Sequence, residues 1–348
     1  MNRFNVIASS LALATLVSTS VHAQDKVLNL YSARHYQTDE AMYDTFTKNT
    51  GIKINRVDSD DAGIVARLKA EGSASPADVI LLVDAARLAS AEAQGLFQPI
   101  KSTKLDQLIP ANLRAMPTAD GVAWTGFSTR ARVIVFDPMR VKAADVATYE
   151  QLADPKLKGL LCVRSGSHPY NLSLFATVVE RLGDEKGEAW LKGMVDNMAR
   201  PPKGGDTDQI KAVASGECGV ALTNTYYAAR LIKSSKADEK AVMEKVRVVF
   251  PNQGTSGTHV NIAGAAVAKH AKHKTEAIQF MEYLASPSAQ EYFANGNNEY
   301  PVAMGSKVDN TALKAMGGEQ FKAENIPLAV VAKNLTKVQQ MLDRVGFK

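Results

Sequence analysis

The 348-residue chain is predicted to fold as a two-lobed α/β protein whose lobes are joined by two crossing strands. Three observations predict it. A single hydrophobic core stops growing near roughly 250 to 300 residues, so a chain of this length is expected to build two. Strand patterns alternate with helical ones along most of the sequence, which builds a largely parallel sheet with crossover helices on its faces. Two extended runs, 122–136 and 259–267, have the character of strands passing from one lobe to the other.

The elements follow in order. Met1-Asn2-Arg3, an apolar stretch from Val6 to Val17 and then Val21-His22-Ala23 have the parts of a secretory signal: a positive charge, an apolar core and a small-residue cleavage site. Cleavage is expected after Ala23. A spanning helix needs about 20 apolar residues, and this run is shorter, so the mature protein is expected to be soluble and periplasmic. Val27-Leu28-Asn29-Leu30-Tyr31 alternates as a strand, and a polar turn leads into a helix over about 38–49, which stops before Gly51. A second strand covers 52–57. Asp60 or Asp61 can cap the helix that runs to Glu71, and 77–83 is a continuous apolar strand of the kind buried on both faces. Residues 84–93 are helical again, with Asp84 as a cap.

The run 122–136 is extended with a break at Gly126 and forms the first crossing; 259–267 forms the second. Between them the alternation repeats, with strands near 160–164, 219–223 and 246–250. Helices are expected at about 275–284 and 289–294, an extended piece at 299–302, and an outer helix over 329–345. The expected lobes are 24–126 plus 262–307 and 127–261 plus 308–348.

The charge balance, 41 Lys and Arg against 36 Asp and Glu, gives a net charge of +5 with the two signs interleaved. No charge block of the kind that binds nucleic acid is present. The two cysteines, Cys162 and Cys218, favour a disulfide in an exported chain, the alternative being two buried thiols. The Gly-x-Ser-x-Gly elbow, the His-Glu-x-x-His zinc helix, the phosphate loop and the Gly-x-Gly-x-x-Gly fingerprint are all missing. Asp58, Asp60 and Asp61 sit where acids cap a helix start. His270 and His273 lie in a lysine-rich turn that competes poorly for any cation.

The tyrosines stand apart. Tyr36 follows the first strand, Tyr170 the strand ending near Arg164, and Tyr226 and Tyr227 the strand ending near Thr223. Loops leaving the carboxyl ends of strands are where ligands bind in open α/β sheets. At a strand-to-helix turn the alternation of side chains lapses, so both paired phenols can reach one cleft. Tyrosinate is an anionic oxygen donor suited to hard cations, which makes ferric iron the first candidate. The alternative is ordinary half-buried core tyrosine with a satisfied hydroxyl.

Leu30-Tyr31-Ser32-Ala33-Arg34-His35-Tyr36, Ser75-Pro76-Ala77-Asp78-Val79, Arg130-Ala131-Arg132-Val133, Ala199-Arg200-Pro201-Pro202-Lys203-Gly204 and Asn224-Thr225-Tyr226-Tyr227 occur in this order. In these the chain resembles the ferric-iron-binding periplasmic proteins of bacterial ABC importers, the bacterial transferrins, over essentially its whole mature length. The resemblance implies a type II, transferrin-like periplasmic-binding-protein fold that closes on one Fe3+ ion. It also implies no enzymatic activity, a monomeric receptor, and delivery to an inner-membrane ABC permease with its ATPase. Tyr36, Tyr170, Tyr226 and Tyr227 match that family's ligands, with His35 as a fifth. Other branches place a carboxylate after the third strand, where this chain has Val83; the adjacent Asp84 is read as the cap of its helix, with that carboxylate role as the alternative. Four tyrosinates on iron(III) leave one negative charge, and a buried charge needs partners. Arg130 and Arg230 are the expected ones. The competing readings are a receptor of the same fold for an oxyanion, organic acid or polyamine, and a secreted hydrolase.

Overall fold

The computed structural model describes residues 26–34 and 39–348. The expected signal segment, 1–23, lies outside them, and so do His35 and Tyr36. β1 (Val27–Ser32) pairs in parallel with β2 (Lys53–Asp58) and β3 (Val79–Leu82), and α1 (Asp39–Thr50) and α2 (Asp61–Glu71) make the crossovers. Asp60 caps α2 by accepting the Gly63 amide at 2.6 Å. All four residues of β3 are buried, as a strand covered on both faces requires. α3 (Ala85–Ala93), β4 (Phe97–Gln98) and α4 (Thr103–Leu108) follow.

Beyond β5 (Thr125–Phe136) the chain passes through β6 (Leu161–Cys162), α5 (Pro169–Leu182), α6 (Asp184–Asp196), α7 (Asp206–Ala214), β7 (Val220–Asn224), α8 (Thr225–Lys233), α9 (Ala237–Lys245) and β8 (Arg247–Val249). It returns through β9 (Val260–Ala268), α10 (Lys274–Leu284), α11 (Pro287–Asn297) and β10 (Tyr300–Pro301). The end of the chain forms α12 (Thr311–Ala315), α13 (Leu328–Lys333) and α14 (Leu335–Val345).

The sheet order is β2-β1-β3-β9-β5-β7-β6. Its outer pairs are parallel, whereas β5 and β9 run antiparallel to each other and to β7 and β3. The largely parallel sheet expected from the alternation is therefore parallel only toward its two ends. A chain that leaves one lobe on β5 and returns on β9 must reverse direction between them. β5 serves both lobes: Thr125–Ala131 pairs with β9, and Arg132–Phe136 pairs with β7 and β8.

No break interrupts β5 at Gly126. The register against β9 shifts between Gly126 and Ser128 instead, and Gly126 lies opposite Gly264. A Cβ at Gly126 would come within 2.9 Å of the Leu113 carbonyl and one at Gly264 within 2.9 Å of the Thr125 carbonyl, so neighbouring backbone leaves no room for a side chain at either position.

One buried cluster draws on 28–127 and 262–303, and two others on 131–260 and 300–347. Cys162 and Cys218 form a disulfide beside β6 and β7. The single outer helix expected over 329–345 divides at Asn334 into α13, which packs chiefly on α3, and α14, which packs on α5 and α6. Among the described residues no helix is long and apolar enough to cross a membrane.

Candidate metal centre

Tyr170 and the pair Tyr226-Tyr227 arrive from two different strand ends. Tyr170 stands in the first turn of α5, which His168 caps and Pro169 opens, a proline at the first helical position being preset for the helix. Tyr226 and Tyr227 stand in the first turn of α8, directly after β7. Both turns lie at helix starts that follow strand ends, where ligands bind in open α/β sheets. The Tyr226 hydroxyl donates to the Tyr170 hydroxyl at 3.2 Å, and the Tyr226 and Tyr227 rings lie 4.3 Å apart. Tyr226 is buried, while Tyr170 and Tyr227 are half-buried.

Three arginines surround these phenols. Arg130, buried on β5, and Arg164 lie over the Tyr170 ring at 5.4 and 5.3 Å. Arg230, one turn along α8, lies 5.1 Å from the Tyr226 ring and 5.7 Å from that of Tyr227. Burial works against the charge of Arg130, but Tyr170, Tyr226, Glu299 and Asp84 outweigh it and hold the guanidinium above its usual pKa. The relation is reciprocal, because a nearby cation favours the anionic form of a phenol. Arg130 gives its Nη2 to the Val83 carbonyl, and its Nη1 is buried without a hydrogen-bond partner among the described residues.

A second ring of residues seats the tyrosine turns. Arg132, two residues after Arg130 on β5, pairs with buried Asp206 and donates to Asn224 Oδ1 at 3.1 Å and Asn171 Oδ1 at 2.6 Å. Asn171 follows Tyr170, and Asn224 precedes the Tyr226-Tyr227 pair. One guanidinium thus fixes the roots of both turns. Arg164 pairs with the other Asp206 oxygen at 3.2 Å.

His168 stacks edge-on against Tyr170 at 4.6 Å, and its Nδ1 accepts the Tyr170 amide. Burial, with Arg164 and Arg132, lowers its pKa to about 3, so it stays neutral. Arg132, Arg164, Asp206 and His168 went unselected in the sequence. A signal existed for Arg132, since Arg130 and Arg132 share one face of a strand that carries no other charge.

Tyr36 and His35 lie outside the described residues. The residues on either side of that gap, Arg34 and Asp39, form a buried ion pair at 2.9 Å, and Arg34 also pairs with Glu299 at 3.0 Å. Among the described residues no group of three or more His, Cys, Asp or Glu could hold a metal. The hard donors gathered in the cleft are phenols.

Residues 41–315 match the family model described as bacterial extracellular solute-binding protein. Iron uptake protein A1 of Synechocystis is 44% identical over 325 residues, covering 93% of this chain and 88% of that protein. A solved Trichodesmium structure, in complex with iron and citrate ligands, superposes with a TM-score of 0.87 at 48% identity, covering 92% of this chain and all of that one. A ferric binding protein from Campylobacter jejuni gives a TM-score of 0.85 at 36% identity, with 92% of this chain covered and all of that one.

Proposed function

The chain belongs to the bacterial extracellular solute-binding protein family, and from that premise we propose that it is a periplasmic receptor that captures one ferric ion and delivers it to an ABC permease. Tyr170, Tyr226 and Tyr227 supply tyrosinate oxygens to the ion, Tyr36 adds a fourth and His35 a fifth ligand. Arg130 and Arg230 neutralise the charge that four tyrosinates leave. The role is binding and transport, without catalysis. The observation that carries the reading is the 3.2 Å approach of the Tyr226 and Tyr170 hydroxyls among three arginines. Phenols packed that closely repel once ionised, and a trivalent cation between them removes the repulsion. For His35 and Tyr36 the support is their motif and the similarity to iron-binding relatives.

Two lobes of 24–126 plus 262–307 and 127–261 plus 308–348 belong to the same proposal, supported by the separate buried clusters. The partners are the permease and ATPase of an iron importer, and the receptor acts as a monomer.

Protein purified without chelators and loaded with ferric salt is expected to carry one iron and to be orange to red, from tyrosinate-to-iron charge transfer. A colourless protein without stoichiometric iron overturns the proposal. The Tyr226→Phe/Tyr227→Phe double variant loses two hydroxyls and little packing, so it is expected to fold and to lose tight iron binding. Retained affinity moves the site elsewhere.

One observation favours a second reading. The unpartnered Nη1 of buried Arg130 is a donor suited to an oxyanion or carboxylate. A melting temperature that rises with such an anion and not with ferric salt selects an anion receptor.

A further inference from the structure

Beside Arg130, just after β3, the molecule buries a carboxylate that the proposed ligand set leaves out. Asp84 is fully buried. Its Oδ1 caps α3, accepting the amides of Ala86 at 2.8 Å and Arg87 at 3.2 Å. Its Oδ2 does something a cap does not require. It accepts Nδ2 of Asn261, on the crossing strand β9, at 2.7 Å, and the hydroxyl of Ser173, on α5, at 3.0 Å. Asn261 returns the contact, its Oδ1 accepting the Ala85 amide at 3.0 Å. A residue next to β3 is thereby tied both to a crossing strand and to a helix of the other lobe.

Two features separate this arrangement from ordinary capping. Ser, Thr and Asn cap as well as Asp without the cost of burying a carboxylate. Ser173 also lies three residues after Tyr170, one turn along the same face of α5, so whatever holds Ser173 holds Tyr170. Burial raises the Asp84 pKa, and Arg130, which grips the neighbouring Val83 carbonyl, pulls against it together with the hydrogen bonds from Ser173 and Asn261.

We propose that Asp84 is a positioning residue for ligand capture, its bond to Ser173 being a latch that forms as the lobes close and seats the helix of Tyr170 against the first lobe. The inference rests on the iron-receptor reading above. Opening the cleft parts Ser173 from Asp84, so the latch slows release without touching the metal.

The test compares wild type with Ser173→Ala, a change that removes only the hydroxyl and favours helix. Asp84→Asn serves as a second variant that keeps an oxygen for the α3 cap. Iron removal from the loaded proteins by excess EDTA is followed through the visible band. X-ray scattering measures lobe closure with and without iron. A hydrogen bond to a charged group is worth enough that its loss is expected to speed release about tenfold or more. The band maximum of the iron-loaded Ser173→Ala protein and the melting temperature of its iron-free form are expected to stay in place, which distinguishes a latch from a merely structural bond. Release at the wild-type rate, with unchanged scattering, overturns the latch. A wild type that takes up no iron overturns the receptor reading instead, and the iron-free scattering then judges the latch: a larger radius of gyration in Ser173→Ala supports it, and identical curves refute it.

Discussion

Arg132 shows how much of this cleft hangs on one side chain. It is 1% exposed and ties Asp206, Asn171 and Asn224 together beneath both tyrosine turns. Arg132→Ala leaves the Asp206 charge with only Arg164 as an ionic partner. Breaking a buried pair in this way is expected to lower unfolding stability by about 3–5 kcal/mol, read from chemical denaturation. The tyrosines themselves were legible in the sequence because each follows a strand end, and Asp60 and Asp84 were legible as caps. Arg132 was not selected because its partners, Asn171 and Asp206, are distant in sequence. Asp61 departs from simple capping: it accepts the Val83 amide at 2.9 Å, and burial raises its pKa to about 6.

The element with the clearest pH signature is the segment between α12 and α13. Glu324 within it is buried, pairs with Arg181 at the end of α5, and donates its amide to the Thr258 carbonyl just before β9. Burial raises its pKa to about 7, against the pull of Arg181. The folded protein therefore binds this proton more tightly than the unfolded chain, whose Glu titrates at about 4.3. Its contribution to stability is lost as pH rises through 7 and fully present below about 4.3. His259 and His168, lowered to about 3 by burial and neighbouring arginines, act oppositely and destabilise the fold as pH falls below about 6.5. Glu324→Gln removes the opposing contribution. Its melting temperature is expected to fall more steeply than that of wild type between pH 7 and about 4.5; parallel curves contradict the assignment. The split at Asn334 belongs to this scale as well. Nothing in the local pattern marks it, because the helix divides where its halves find different neighbours.

Across the whole molecule, the buried cluster of 28–127 and 262–303 and the two clusters beyond β5 need not melt together. Trp124 lies in the cluster built from 28–127 and 262–303, and Trp190 in a cluster beyond β5. Each tryptophan therefore reports on one lobe. The Cys162–Cys218 disulfide lies within one of the buried clusters beyond β5 and closes a loop of sequence separation 56. Replacing both cysteines by alanine is expected to destabilise that region by about 2–4 kcal/mol. In guanidinium, the midpoint read by Trp190 in a Trp124→Phe background should drop. The midpoint read by Trp124 in a Trp190→Phe background should hold. Equal shifts at both probes would show that the lobes unfold as one unit.

The sequence by itself determined the alternation of strands and helices, the two long crossings, and the placement of three tyrosines behind strand ends; that Tyr170 opens a helix came from the structure. Those properties are written in periods of two and 3.6 residues, which need no distant partner to be seen. Tertiary structure alone decided that Tyr226 meets Tyr170, that Arg132 binds both turns, and that Asp84 reaches Ser173. Such contacts join residues 39 to 92 positions apart. They depend on the register of β5 against β9 and β7, which strand pairing sets and no local pattern records.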